Sequence, residues 1–122
     1  MNNPAVGIGK GPMLVMIAGP YSAASEEGRQ ENLDRLNAAA FDVLKRGHIP
    51  VVGVNAALPI VGGSGGEDEY EAIMRISLAL AERCDAVLMV AESPGANRER
   101  EVVSAMGRPV YHDVEELPMQ QQ

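Results

Sequence analysis

The chain has 122 residues, enough for one domain with a modest core. Its 17 acidic and 10 basic residues give a net charge of -7, which argues against a nucleic acid polymer as partner. One cysteine, Cys84, excludes an intrachain disulfide framework, and no apolar run approaches the ~18 residues of a membrane span, so no membrane partner is expected. Aromatic residues are only 3%, so the core must be built from Ala, Val, Leu, Ile and Met. The start lacks the basic and apolar regions of a signal peptide, and the expected location is cytoplasmic.

Residues 1–12 are rich in Gly and Pro, show no periodicity and read as a flexible arm. The run Gly7 to Gly11 is only superficially a phosphate loop. It precedes the first strand, and Lys10 is not followed by Ser or Thr. Met13 to Ala18 is apolar throughout and reads as a central strand. The turn Gly19-Pro20-Tyr21-Ser22 follows, with Gly19 allowing the backbone close to a ligand and Tyr21 at the strand's carboxyl edge.

A long helix is expected from about Ser25 to Arg46, capped by Ser22 or Ser25 and ended by Gly47. Leu33, Leu36, Ala40, Val43 and Leu44 form its apolar stripe. Arg29, near its amino end, either points at the ligand edge or is solvated. His48 to Val54 reads as a second strand. Pro50 makes it an edge strand, His48 is structural, and Asn55 follows at the carboxyl end. Ala56 to Asp68, with the glycine-rich stretch 62–66, is expected to be a long connection serving as lid or linker.

Glu67 or Asp68 opens a helix reaching about Arg83, with Tyr70, Ile73, Met74, Ser77, Leu80, Ala81 and Cys84 on one face. Ser77 is the polar member of that face, and a buried serine often bonds back to its own helix. Ala86 to Ala91 reads as a strand buried on both faces. A turn with Ser93, Pro94, Gly95 and Asn97 leads into a helix from Arg98 to Met106, stopped by Gly107. Arg108 to Tyr111 is a short last strand, and His112 to Gln122 an acidic tail expected to fray.

The expected organisation is therefore an arm (1–12), one α/β domain (13–112) and an acidic tail (113–122). The alternation β-α-β-α-β-α-β predicts a small doubly wound, flavodoxin- or Rossmann-like parallel sheet of four to five strands, with helices on both faces. The predicted strand order is 2-1-3-4. Its switch point sets the turns Gly19 to Ser22 and Ser93 to Asn97 against each other, where a ligand should bind.

Glu99 stands out at that crevice. It is related to Val102, Val103 and Met106 by three, four and seven positions, and these form the plausible core face of its helix. A carboxylate on the core face suits a nucleophile or base. Alternatively, it bonds its own helix start or pairs with Arg29 or Arg98. Ser93 and the amides of Gly95, Ala96, Asn97 and Arg98 could cradle an anion such as a phosphate. No Ser-His-Asp or Cys-His set exists, and the two histidines and one cysteine have no metal-ligand spacing. No metal or other cofactor is called for.

The segments Ile17-Ala18-Gly19-Pro20-Tyr21, Arg46-Gly47-His48-Ile49-Pro50, Cys84-Asp85-Ala86-Val87-Leu88 and Ser93-Pro94-Gly95-Ala96-Asn97-Arg98-Glu99 resemble the nucleoside 2-deoxyribosyltransferase-like superfamily, which includes nucleotide N-glycosidases. The resemblance covers about residues 13–112. It implies a small-molecule nucleoside or nucleotide as partner and cleavage or transfer of its N-glycosidic bond. Glu99 would be the nucleophile, assisted by Tyr21. Gly19, Pro20, Asn55, Ser77, Ser93, Gly95, Ala96 and Asn97 would bind substrate. It also implies a homo-oligomer, dimer or tetramer. Two positions depart from the family pattern. Ser77 stands where many members carry an Asp that bonds the sugar hydroxyls, and Met16 where a Tyr often stands. The competing expectation is a nucleotide-binding module that keeps the fold without turnover.

Overall fold

The computed structural model describes residues 11–62 and 67–120. Expectations for residues 1–10, 63–66 and 121–122 lie outside this range. The elements run β1 (Leu14–Ala18), α1 (Glu26–Lys45), β2 (Ile49–Val51), α2 (Gly53–Val61), α3 (Glu67–Ala81), β3 (Ala86–Met89), α4 (Pro94–Ala105) and β4 (Val110–Tyr111), then a 3-10 turn at Val114–Glu116. The sheet is wholly parallel with order β2-β1-β3-β4, as the alternation predicts. Met16 of β1 lies between Val51 and Val87 in register. β2 is an edge strand, which accommodates Pro50.

Side chains alternate across the strands, so each face of the sheet has its own core. Met13, Val15, Ile17, Ala86 and Leu88 pack with Leu36, Ala40 and Val43 of α1. Met16, Ala18, Val87 and Met89 pack on the other face with Ala81 at the end of α3, Cys84 in the turn after it, and Ala96 and Val103 of α4. A third cluster joins Val54 and Ala57 of α2 to Ile73 of α3. Asp85 secures the base of the sheet, its carboxylate accepting from the Leu14 amide at 2.9 Å.

Three expectations are corrected. The second strand, expected to reach Val54, ends at Val51, and a nine-residue helix, α2, takes Gly53 to Val61 and so the first part of the expected connection, packing on α3. The chain is therefore β-α-β-α-α-β-α-β. Val54, Ala57, Leu58 and Val61 keep a helical spacing that buries one side, despite Pro59 within the helix.

Second, α4 starts at Pro94, four residues before the expected Arg98. Ser93 is its N-cap, with the hydroxyl accepting from the Ala96 amide at 3.1 Å, and Pro94 takes the first helical position, where a missing N–H costs nothing.

Third, the acidic segment after His112 is docked as far as Gln120. Leu117 is buried in the α1-side core. The Arg46 guanidinium donates to the Leu117 carbonyl from Nε (3.0 Å) and Nη2 (2.7 Å), and the Gln120 amide donates to the Arg46 carbonyl at 2.9 Å. His48 completes the join. Its Nδ1 accepts from the Met13 amide at 3.0 Å, which leaves Nε2–H to donate to the Pro118 carbonyl at 2.6 Å. Gly47, at φ 94°, ends α1 in the left-handed region, and a Cβ there would strike the Gln120 backbone.

Among the described residues, no helix is long and apolar enough to cross a membrane, and no group of three His, Cys, Asp or Glu side chains could hold a metal ion.

Candidate active site

At the switch point between β1 and β3 lies a cavity of about 400 Å³, within the range of small-molecule sites. Gly19, Pro20 and Tyr21 line it from the β1 turn; Ser93, Gly95, Ala96 and Glu99 line it from α4. Arg29 enters from α1, and Glu69, Tyr70, Ile73 and Met74 form a wall from α3.

Glu99 reaches this cavity because α4 buries Ala96, Glu99 and Val103, a three-then-four spacing along one face. With Ser93 as the cap, Glu99 stands in the second helical turn, beyond the amides of the helix start. It is 7% exposed. Its partner is Ser77 of α3, whose hydroxyl donates to Oε2. The alternatives of a helix-start bond or an ion pair are not realised. Arg98 pairs instead with Glu71 at 3.3 Å, and Arg29 donates to the Ala23 carbonyl at 3.2 Å. Burial disfavours the charged carboxylate and pushes the Glu99 pKa up to about 7, while the Ser77 hydroxyl pulls in the opposite direction.

Cys84 is not poised for chemistry. Burial, then the negative charges of Asp85 and Glu99, raise its pKa to about 11. Its thiol donates to the Leu80 carbonyl at 3.4 Å, so it behaves as a small core residue.

The structure thus brings Tyr21, Gly19, Pro20, Ser93, Gly95, Ala96 and Glu99 to one cavity. It does not bring three other expected residues to the wall. Ser77 is fully buried behind Glu99. Asn55, placed by the sequence at the end of β2, lies on the exposed side of α2, where it donates to Asn37 Oδ1 at 2.6 Å. Asn97 is on α4 away from the wall, with Oδ1 buried and without a hydrogen-bond partner among the described residues.

The α3 wall was not anticipated. Tyr70, Ile73 and Met74 read as core because they share the apolar stripe with Ala81 and Cys84. The stripe runs on past the sheet edge and becomes cavity lining. A tyrosine and an adjacent glutamate at the amino end of that stripe were the available signal. Gly95 is small for a related reason. A Cβ there would meet Met74 Sδ at 3.2 Å, across the cavity's narrow side. Gly19 is small because a Cβ would meet Leu36 Cδ2 at 2.9 Å, so packing constrains this position directly.

The model of a family described as "Domain of unknown function (DUF4406)" matches residues 13–112. No curated protein matches the chain.

Proposed function

The chain belongs to this DUF4406 family, and we propose that it cleaves or transfers the N-glycosidic bond of a nucleoside or nucleoside monophosphate with Glu99 as nucleophile. The observation that carries this reading is a buried carboxyl on a cavity wall whose hydrogen-bond partner is a neutral serine. Among the described residues no ion pair reaches it. The likeness of the Gly-Pro-Tyr and Ser-Pro-Gly-x-x-x-Glu turns to the nucleoside 2-deoxyribosyltransferase-like superfamily supports the choice of bond.

A Glu99 oxygen attacks the anomeric carbon as the carbon–nitrogen bond breaks. The base leaves with the bonding electrons and takes a proton from solvent. Water or a second base then attacks the same carbon and releases the carboxylate, as in retaining glycoside hydrolysis. A carboxylate near its pKa at neutral pH is a more basic nucleophile than an ordinary one. The apolar part of the wall, Val54, Ile73 and Met74, lowers the local polarity and strengthens its interaction with the positive charge that develops on the sugar. Tyr21 and Tyr70 offer aromatic surface for a base, and Arg29 offers a cation for a 5′-phosphate.

The test is base release from a panel of nucleosides and 5′-monophosphates, with Glu99→Ala as control. Release that survives in a folded Glu99→Ala protein removes the proposed role. Ser77 favours a second reading, a binding module without turnover. It stands where an acidic sugar-binding residue is expected, and it is buried away from the cavity. That reading predicts ligand-induced stabilisation without product.

A further inference from the structure

We propose that Ser77 is the positioning residue of the site: its hydroxyl holds Glu99 Oε2 at the back of the cavity, turns Oε1 to the ligand and steadies the ionised carboxylate. The proposal deepens the N-glycosidic reading and rests on it for the identity of the attacking atom.

Three observations carry it. Ser77 is fully buried, yet it does not follow the habit of a buried helical serine, which bonds back to its own helix; its hydroxyl is committed to a carboxylate 22 residues away on α4. The neighbouring chain is shaped to leave that hydroxyl its place. α2 begins at Gly53, itself buried against α3, and a Cβ on Gly53 would overlap the Ser77 hydroxyl and crowd its Cβ. Finally, Glu99 belongs to the cavity wall while Ser77 does not, so the bond is made on the side away from the ligand. A serine there can act on a ligand only through Glu99.

The surroundings leave this role to Ser77. The other titratable or charged groups facing the site are Tyr21 from the β1 turn, Arg29 from α1, and Glu69 and Tyr70 from α3, all on the cavity wall. Cys84, before β3, acts as a buried neutral thiol. From α2 the wall receives only Val54, and Gly53 abuts Ser77. Ser77 is the group that donates to Glu99. A hydroxyl donating to a carboxylate favours the ionised form, and its removal should raise the Glu99 midpoint.

The experiment is a carbon-13 NMR titration of the Glu99 side-chain carboxyl in glutamate-labelled protein, with the resonance assigned by its loss in Glu99→Gln. Ser77→Ala is expected to move the midpoint upward by about one pH unit. Ser77→Cys, which puts a weaker donor of similar volume in place of the hydroxyl, should move it in the same direction and keeps the test alive if Ser77→Ala does not fold. A midpoint unchanged or lowered in the folded variants overturns the proposal. No substrate enters this titration, so it stands or falls apart from base release. Where release is detected, Ser77→Ala should lower kcat at pH 7 by at least about fivefold with little change in KM; the part caused by fewer ionised carboxyls recovers at higher pH, and the part caused by lost orientation persists. A loss that recovers completely at high pH contradicts the positioning role.

Discussion

A carboxyl group that burial holds in its protonated form weakens the fold as it ionises. Glu99 has its pKa raised from an ordinary value of 4.5 to about 7. Between those values the folded protein binds the proton and the unfolded chain releases it. The stabilisation from protonated Glu99 is complete below about pH 4.5, is lost as pH rises to about 7, and changes little above that. The isosteric, neutral Glu99→Gln should therefore match the parent at pH 4.5 and be more stable by up to about 3 kcal/mol at pH 8. Denaturant unfolding at both pH values checks this; a difference that does not grow with pH rules it out. The same titration fixes the direction of the rate profile. A nucleophilic Glu99 gives kcat that rises through about pH 7, whereas a Glu99 that acts as proton donor gives a falling one. That Glu99 faces inward was legible in the sequence from its four-residue spacing to Val103, although Val102 is only half-buried and Met106, expected on the same face, is exposed. Its partner was not. Ser77 and Glu99 meet because two helices cross, and no local pattern marks a contact between side chains 22 positions apart.

α4 illustrates what local chemistry gives an element and what can conceal it. Ser93 followed by Pro94 is a helix start by composition, yet Pro, Gly and Asn in succession also spell a turn. The cap decides between them. Ser93→Ala should cost about 1 kcal/mol and loosen the turn that carries Glu99. Hydrogen exchange at the Ala96 and Asn97 amides would report it. α2 was hidden for a similar reason, its apolar spacing interrupted by Pro59 and bordered by glycines. The C-terminal segment was concealed by its charge. Acidic residues and terminal glutamines read as a solvated tail, while one buried leucine and three backbone carbonyls bind it to α1 and His48. Leu117→Ala should cost about 3 kcal/mol, readable as a lowered unfolding midpoint. An unchanged midpoint would mean that the segment is not part of the cooperative unit.

At the scale of the molecule, the fold was the most legible feature. Apolar runs separated by amphipathic helices leave few parallel topologies, and right-handed crossovers reduce them to the observed order β2-β1-β3-β4. That order alone places the β1 and β3 turns side by side and opens the cavity between them. The α3 wall was less legible, because a helix face turns from core to lining where the sheet ends, and sequence periodicity does not mark that edge. A nucleoside or nucleoside monophosphate that fits this cavity at 100 times its Kd should stabilise the fold by about 2.7 kcal/mol. The central claim is chemical, and base release tests it most directly. The parent protein incubated with deoxynucleosides and their 5′-monophosphates should free the base from at least one. Folded Glu99→Ala should lose at least about a thousandfold of that rate. Equal release by the two proteins, or none by the parent from any substrate of the class, would contradict the account.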